Sequence, residues 1–162
     1  GDHTPSGGLR GGKYSLFEAG TKVPFIAYWK DKIKPGVSNE LISQIDLFNS
    51  ISSIVGSDKK SLDGIDLSSL ILKNEGKGRS ELVIEALRRT AYINKNWVII
   101  PPYKGPSISK NVNIELGNSN EYKLYNLIKD PSQKNNLTNK EPEKLKQMIS
   151  DFIKIRGEKF RD

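Results

Sequence analysis

The sequence lacks cysteine entirely and has a single histidine and a single methionine among its 162 residues. Without cysteine it has no disulfide, no thiolate metal ligand and no cysteine nucleophile. Because His3 is the only histidine, the composition argues against a histidine zinc site and against an internal Ser-His-Asp triad. No apolar run approaches the roughly 20 residues that cross a bilayer, and no targeting signal is present.

The charge is basic but evenly spread. Lysine and arginine number 26 against 19 acidic residues, which gives a net charge of +7. A nucleic-acid groove would combine a basic block with interleaved aromatic residues, and no such block is present. A solvated, lysine-rich surface is therefore the favoured interpretation, and nucleic acid is not a favoured partner. The opening string GDHTPSGG has no initiator methionine, so we expect the cut end of a longer protein.

The first half of the chain predicts one strand and one helix. The apolar run VPFIAYW, at 23–29, is typical of a strand buried on both faces. Apolar residues from Leu41 to Val55 follow a helical spacing, and Gly56 is a natural stop for that helix. Residues 57–79 are expected to be a connector with a turn at Asp63-Gly64.

The second half predicts an antiparallel sheet and a terminal helix. LVIEAL, RRTAYI and NWVIIPP are expected strands, with a tight turn at 94–96 and another strand in EYKLYNLIKDP. One edge strand is expected around 112–116. Glu141-Pro142-Glu143 predicts a helix start, and the buried stripe of that helix comprises Leu145, Met148, Ile149, Phe152 and Ile155.

A glycine-rich segment near the start nearly matches a phosphate-binding P-loop. Gly7 and Gly12-Lys13 fit G-x-x-x-x-G-K, but Tyr14 stands where the motif needs serine or threonine. No strand can precede Gly7, and the segment after Lys13 is not a long helical pattern. We therefore expect Lys13 to serve another anion, or to be a solvated loop lysine.

Five segments, in order, follow one pattern along nearly the whole chain. They are LRGGKYSLFEAGTKVPFIAYW, DKIKPGVSNELISQIDLFNSISSIVG, LDGIDLSSLI, RTAYINKNWVII and KLYNLIKDPSQKNNLTNKEPEKLKQM. Together these segments resemble the type I sulfatase family. Their departures from the family pattern, at Ala19, Lys22, Asn49-Ser50 and Lys123, are not at family catalytic positions.

The resemblance implies an α/β plus α+β architecture, the C-terminal fragment of an alkaline-phosphatase-like fold. Residues 1–78 would be the end of the catalytic core: an active-site loop, strand, helix and connector. Residues 79–162 would be a small antiparallel-sheet subdomain packed by the terminal helix. The N-terminal catalytic domain of the same chain is then the missing partner.

The resemblance also implies site residues. Lys13 matches the lysine that binds a sulfate oxygen in the family, and Gly11 and Gly12 would let the backbone pass close to the anion. Arg10 either contacts an anion or pairs with Glu18, and we favour the pair. His3 either faces the substrate and donates a hydrogen bond or a proton, or is an exposed terminal residue.

The family nucleophile is a formylglycine made from the Cys or Ser of C/S-x-P-x-R, and this motif is absent from the sequence. Calcium is the family cofactor. Its last ligands are expected just upstream of Gly1, so no metal ligand is expected in this fragment.

The predicted function is that of the C-terminal part of a sulfatase acting on a sulfated carbohydrate or an aryl sulfate. The full-length protein would be a bacterial, periplasmic or secreted hydrolase of glycan degradation, and the fragment alone would be inactive. The alternatives are the tail of a related phosphonate or phosphodiester hydrolase, and a non-catalytic basic module that binds glycans or nucleic acid.

Overall fold

The computed structural model describes residues 6–156. These residues form two compact units, 6–23 with 81–156 and Pro24–Ser80, which we name the sheet unit and the helical unit. No helix within 6–156 is long and apolar enough to cross a membrane. In chain order the elements are α1 (Glu18–Thr21), α2 (Asp46–Ile54), α3 (Ser68–Lys73), β1 (Glu81–Ala86), β2 (Arg89–Asn94), β3 (Trp97–Ile100), β4 (Ile108–Ser109), β5 (Ile114–Glu115), β6 (Lys123–Asn126) and α4 (Pro142–Arg156).

The sheet unit is built on a four-stranded antiparallel sheet in the order β1-β2-β3-β6. The β1–β2 hairpin turns at Leu87 and Arg88, both with positive φ, as a two-residue turn requires. The β2–β3 hairpin turns at 95–96, where the sequence predicted a tight turn. β4 and β5 form a separate two-stranded ribbon, so the predicted edge strand is present together with a partner strand.

Helix α4 covers the four-stranded sheet and completes its core. Met148 and Phe152 are fully buried against Tyr92, Ile99 and Leu124. The Tyr92 and Phe152 rings stack with their centroids 5.6 Å apart. The predicted antiparallel sheet with its terminal helix is therefore confirmed. The one member of the predicted buried stripe that is exposed is Ile155, in the last turn of the helix.

In the helical unit, α2 is shorter than its apolar pattern predicted. The helix begins at Asp46, because the residues before it are held by other segments. The carbonyl of Leu41 accepts a hydrogen bond from the Arg79 backbone N–H, at 2.7 Å, which draws that stretch alongside 78–79. Part of the predicted connector at 57–79 also forms a helix, α3.

Helix α2 buries polar residues and exposes apolar ones. Its buried residues are Asp46, Asn49, Ser50 and Ser52. Phe48 and Ile51 are each more than half exposed, and so is Val55, which follows the helix. The apolar face that predicted the helix is thus not the face that packs in the helical unit.

The predicted buried strand at 23–29 is wrong for this chain. The segment has no strand structure, and Ile26 and Tyr28 are 89% and 84% exposed. A strand needs a neighbour for its backbone N–H and C=O groups, and none of the described strands pairs with this segment.

The loop at 6–23 belongs to the same compact unit as the sheet, whereas the sequence interpretation placed it in the catalytic core, 1–78. Compactness within this chain does not test the domain assignment in a whole enzyme. The division into 1–78 and 79–162 therefore stays a prediction.

Candidate functional site: a glycine-rich loop with an exposed lysine

The loop over residues 10–20 is anchored at one end and exposed at its tip. Ser15, Leu16 and Phe17 are at most 3% exposed, and Leu16 N–H donates to the Leu116 carbonyl at 3.1 Å. Lys13 and Tyr14 at the tip are exposed. The Lys13 Nζ lies 5.2 Å from the centre of the Tyr14 ring and forms no ion pair within the described residues. The loop therefore exposes the ammonium group of Lys13, while the residues that follow it, 15–17, are buried.

The packing of this loop leaves little room for a side chain at Gly11 or Gly12. Gly11 has φ +86°, and a Cβ there would lie 2.8 Å from the Ser15 Cβ. A Cβ at Gly12 would lie 3.0 Å from the Ile114 Cδ1. Only glycine fits such positions without displacing neighbours. These contacts explain both glycines structurally, and their predicted role beside an anion is a separate proposal.

Arg10 does not pair with Glu18, as the sequence interpretation favoured. Its guanidinium forms a two-pronged ion pair with Glu115 of β5, with Nε–Oε2 and Nη2–Oε1 distances of 2.6 and 3.0 Å. The Nη1 donates to the Gln133 carbonyl at 2.7 Å, and the group lies 4.2 Å from the Phe17 ring centre. The hydrogen bond from Arg10 lowers the pKa of Glu115. Most of the donors of Arg10 are thus used within the fold.

Glu18, near the end of the loop, is buried. Burial raises the pKa of its carboxyl, and the charge of Lys22 opposes that shift. Its backbone N–H donates to the side-chain oxygen of Gln133, at 2.7 Å. Gln133 is fully buried and thus ties the start of α1 and Arg10 to the same point after β6. Sequence reasoning did not identify Gln133.

Arg89, the first residue of β2, is a second anchor that the sequence did not reveal. It is 4% exposed. Its Nη2 donates to the Tyr14 carbonyl at 2.5 Å, and its Nη1 donates to the Leu116 carbonyl and the Asn118 side chain. Burial lowers its pKa. The only signal in the sequence was its place in the RTAYINKNW segment.

Lys123 is another cation that contacts the loop. Its Nζ donates to the Gly117 carbonyl at 3.0 Å and lies 5.3 Å from the centre of the Phe17 ring. Burial lowers its pKa, and so does the charge of Arg10. Arg89 and Lys123 thus contact the loop that itself contains Arg10 and Lys13, and the carboxylate of Glu115 pairs with Arg10.

The geometry argues against a phosphate-binding P-loop. Such a loop offers free backbone N–H groups to the phosphates. Here the Ser15 N–H donates to the Gly12 carbonyl at 2.9 Å, and the Leu16 N–H is also taken. The next helix, α1, has four residues.

The described residues do not fit a calcium site. Within 6–156 no group of three or more His, Cys, Asp or Glu residues is placed to hold a metal ion. The predicted ligands upstream of Gly1 therefore stay a prediction. His3 lies outside the residues that the structure describes, and its predicted role is likewise untested.

Comparison with known proteins identifies the family. Residues 1–57 match the family model described as Sulfatase. The chain is 37% identical, over 160 residues, to the N-acetylgalactosamine-6-O-sulfatase of Bacteroides thetaiotaomicron, an alignment that covers 95% of this chain and 31% of that protein. Over 77 residues it is 42% identical to Arylsulfatase A of Homo sapiens, which covers 46% of this chain and 15% of that protein.

The fold comparison agrees. A solved structure titled for the metabolism of multiple glycosaminoglycans by Bacteroides thetaiotaomicron matches with a TM-score of 0.89 and 34% identity, covering 97% of this chain and 34% of that one. The protein therefore has the C-terminal architecture of an alkaline-phosphatase-like sulfatase. It belongs to the sulfatase family, and it spans about a third of the length of these relatives.

Proposed function

We propose that this chain is the C-terminal part of an enzyme that hydrolyses a sulfate ester, with a sulfated carbohydrate as the substrate class. The family match supports the reaction, and the relative named N-acetylgalactosamine-6-O-sulfatase supports a sulfated sugar. The observation that carries the proposal is the exposed Lys13, which forms no ion pair within the described residues and lies on a loop with buried anchors.

Lys13 is proposed to bind a sulfate oxygen. Sulfuryl transfer leaves negative charge on the sulfate oxygens, and a fixed ammonium stabilises that charge where it develops. Lysine suits this task because its ammonium is a compact point charge. Arg10 is not proposed as a direct sulfate ligand, because its donors are committed to Glu115 and Gln133. His3 remains a second, weaker proposal.

The remaining catalytic domain is proposed to supply the nucleophile and the calcium ligands. It is also proposed to cover the exposed apolar surface of the helical unit, which includes Phe25, Ile26, Tyr28 and Trp29 and the exposed face of α2. An enzyme for external glycans fits a periplasmic or secreted location. On this proposal the isolated chain has no hydrolase activity.

The test is an assay of the complete gene product beside the isolated chain. We expect the complete product to hydrolyse methylumbelliferyl sulfate and sulfated N-acetylgalactosamine, and the isolated chain to hydrolyse neither. Faster hydrolysis of bis(nitrophenyl) phosphate or of a phosphonate ester would assign the related hydrolase class instead. An inactive complete product, with a salt-sensitive affinity of the isolated chain for heparin, would favour a binding module.

A further inference from the structure

Arg89 is a buried cation that no carboxylate neutralises within the described residues. Its guanidinium donates to the carbonyls of Ala86, Leu116 and Tyr14 and to the Asn118 side chain, at 2.5 to 3.1 Å. Removing a charge from water is costly when only neutral acceptors replace the solvent. This cost suggests that the buried Arg89 guanidinium has a role in holding the segments that accept its hydrogen bonds.

The bonds of Arg89 converge on the backbone next to Lys13. Tyr14 has φ +74°, a left-handed conformation that a tyrosine adopts only when its surroundings impose it. Arg89 holds the Tyr14 carbonyl, while the Leu116 carbonyl accepts from both Arg89 and the Leu16 N–H. Arg89, the first residue of β2, thus holds the turn that contains Lys13.

Lys13 itself has little to fix its direction. Its Nζ makes a ring contact with Tyr14 at 5.2 Å, and none of the hydrogen bonds or ion pairs of the described residues involves its side chain. The backbone of the turn therefore sets the region that its ammonium can reach. Any group that fixes the Tyr14 peptide also fixes where Lys13 can reach.

We propose that Arg89 is a positioning residue for Lys13: its guanidinium clamps the Tyr14 carbonyl and so holds the Lys13 ammonium at the sulfate. This inference rests on the proposed function of Lys13. Lysine cannot replace arginine here, because a single ammonium cannot span acceptors that a planar guanidinium reaches from three nitrogens.

A double-mutant cycle in the complete gene product tests the catalytic part, with methylumbelliferyl sulfate as substrate. We expect Arg89→Lys to lower kcat/KM by about tenfold or more, since small misplacements of a catalytic group are costly. In a Lys13→Ala background the same change should cost less than about twofold, because the group being positioned is gone. Arg88→Lys, an exposed neighbour without a described side-chain contact, is the matched control.

An equal loss from Arg89→Lys in both backgrounds would overturn the inference, because it would show a general structural effect. A Lys13→Ala enzyme with full activity would instead overturn the proposed role of Lys13. The two failures are therefore distinguishable.

A second measurement tests the clamp without catalysis. Trypsin cleavage after Lys13 in the 162-residue chain, followed by mass spectrometry, should accelerate about fivefold or more in Arg89→Lys. Cleavage after Lys60, in the helical unit, is the internal control. Asn118→Ala removes one acceptor of Arg89 and should give a smaller acceleration, which keeps the test usable if Arg89→Lys does not fold. Unchanged cleavage after Lys13 in both variants would contradict the clamp.

Discussion

At the scale of single residues, Asp46 is a buried carboxylate that holds the helical unit together. It is 1% exposed and accepts hydrogen bonds from the Arg79 side chain and from the backbone N–H groups of Ser43 and Ile65. Burial alone would raise its pKa, but these hydrogen bonds outweigh burial, and the pKa of Asp46 lies below its ordinary value. The neighbouring Asn49 and Ser50 bind the backbone at Ser61, Gly64 and Leu67.

We predict that Asp46→Asn lowers the unfolding free energy of the helical unit by about 3 kcal/mol at pH 7, because it leaves Arg79 without its counter-charge. Fluorescence of Trp29 during urea unfolding, in a Trp97→Phe background, reports on this unit. Asp58→Asn, an exposed aspartate, is the control. Equal stabilities of the two variants would contradict the prediction.

The contribution of the Asp46–Arg79 ion pair to the stability of the helical unit depends on pH. Because the pKa of Asp46 is lower in the folded chain than its ordinary 3.8, its contribution is fully present above about pH 4 and is lost as pH falls through the folded pKa. We therefore expect the difference between wild type and Asp46→Asn to shrink below pH 4. A difference that stays constant down to pH 2 would show that the charge is not its source.

Residue-level partners were the hardest part to predict from sequence. A local motif was enough to single out Lys13 and its two glycines as candidates, and their role stays a prediction. The partner of Arg10 was predicted wrongly, because Glu115 is 105 positions away and its place is set by the β4–β5 ribbon. Arg89 and Gln133 were missed for the same reason: their bonds to the loop span 75 and 115 positions.

At the scale of elements, the sheet and α4 were predictable because each carries its own pattern. Alternating apolar residues, tight turns, and the proline and acidic residues at the start of a helix are local signals. The segment at 23–29 and the face of α2 were not, because a buried strand or helix face is defined by what packs on it. In this chain those apolar residues stay exposed.

The packing of α4 gives the next prediction. Phe152→Ala should destabilise the sheet unit by about 3–5 kcal/mol, because it empties a fully buried site against Tyr92. Ile155→Ala, on the same helix but 46% exposed, should cost less than about 1 kcal/mol. Trp97 fluorescence in a Trp29→Phe background measures both. Similar losses from the two variants would contradict the described core.

At the scale of the whole molecule, the exposed apolar face of α2 indicates a surface built for contact. Phe48, Ile51 and Val55 lie exposed although polar residues fill the inner face of the same helix. Large exposed apolar patches mark interaction sites. The chain spans 31% of the length of a sulfatase relative, and the rest of such an enzyme is the proposed cover.

We predict that Ile51→Gln has different effects on stability in the isolated chain and in the complete gene product. In the isolated chain it should change the unfolding free energy by no more than about 0.5 kcal/mol, since the side chain is exposed. In the complete gene product it should lower the melting temperature by several degrees, because a polar group would be buried. Lys59→Gln is the control. No effect in the complete product would show that this face is not covered.

The most direct test of the central claim is the kinetics of Lys13→Ala in the complete gene product. With methylumbelliferyl sulfate, the proposed sulfate contact predicts a loss of kcat/KM of about 100-fold or more, as for removal of an oxyanion-stabilising group. Lys129→Ala, an exposed lysine of the same unit, should keep wild-type activity. If Lys13→Ala hydrolyses the sulfate ester as fast as Lys129→Ala does, Lys13 does not bind the sulfate and the account is wrong.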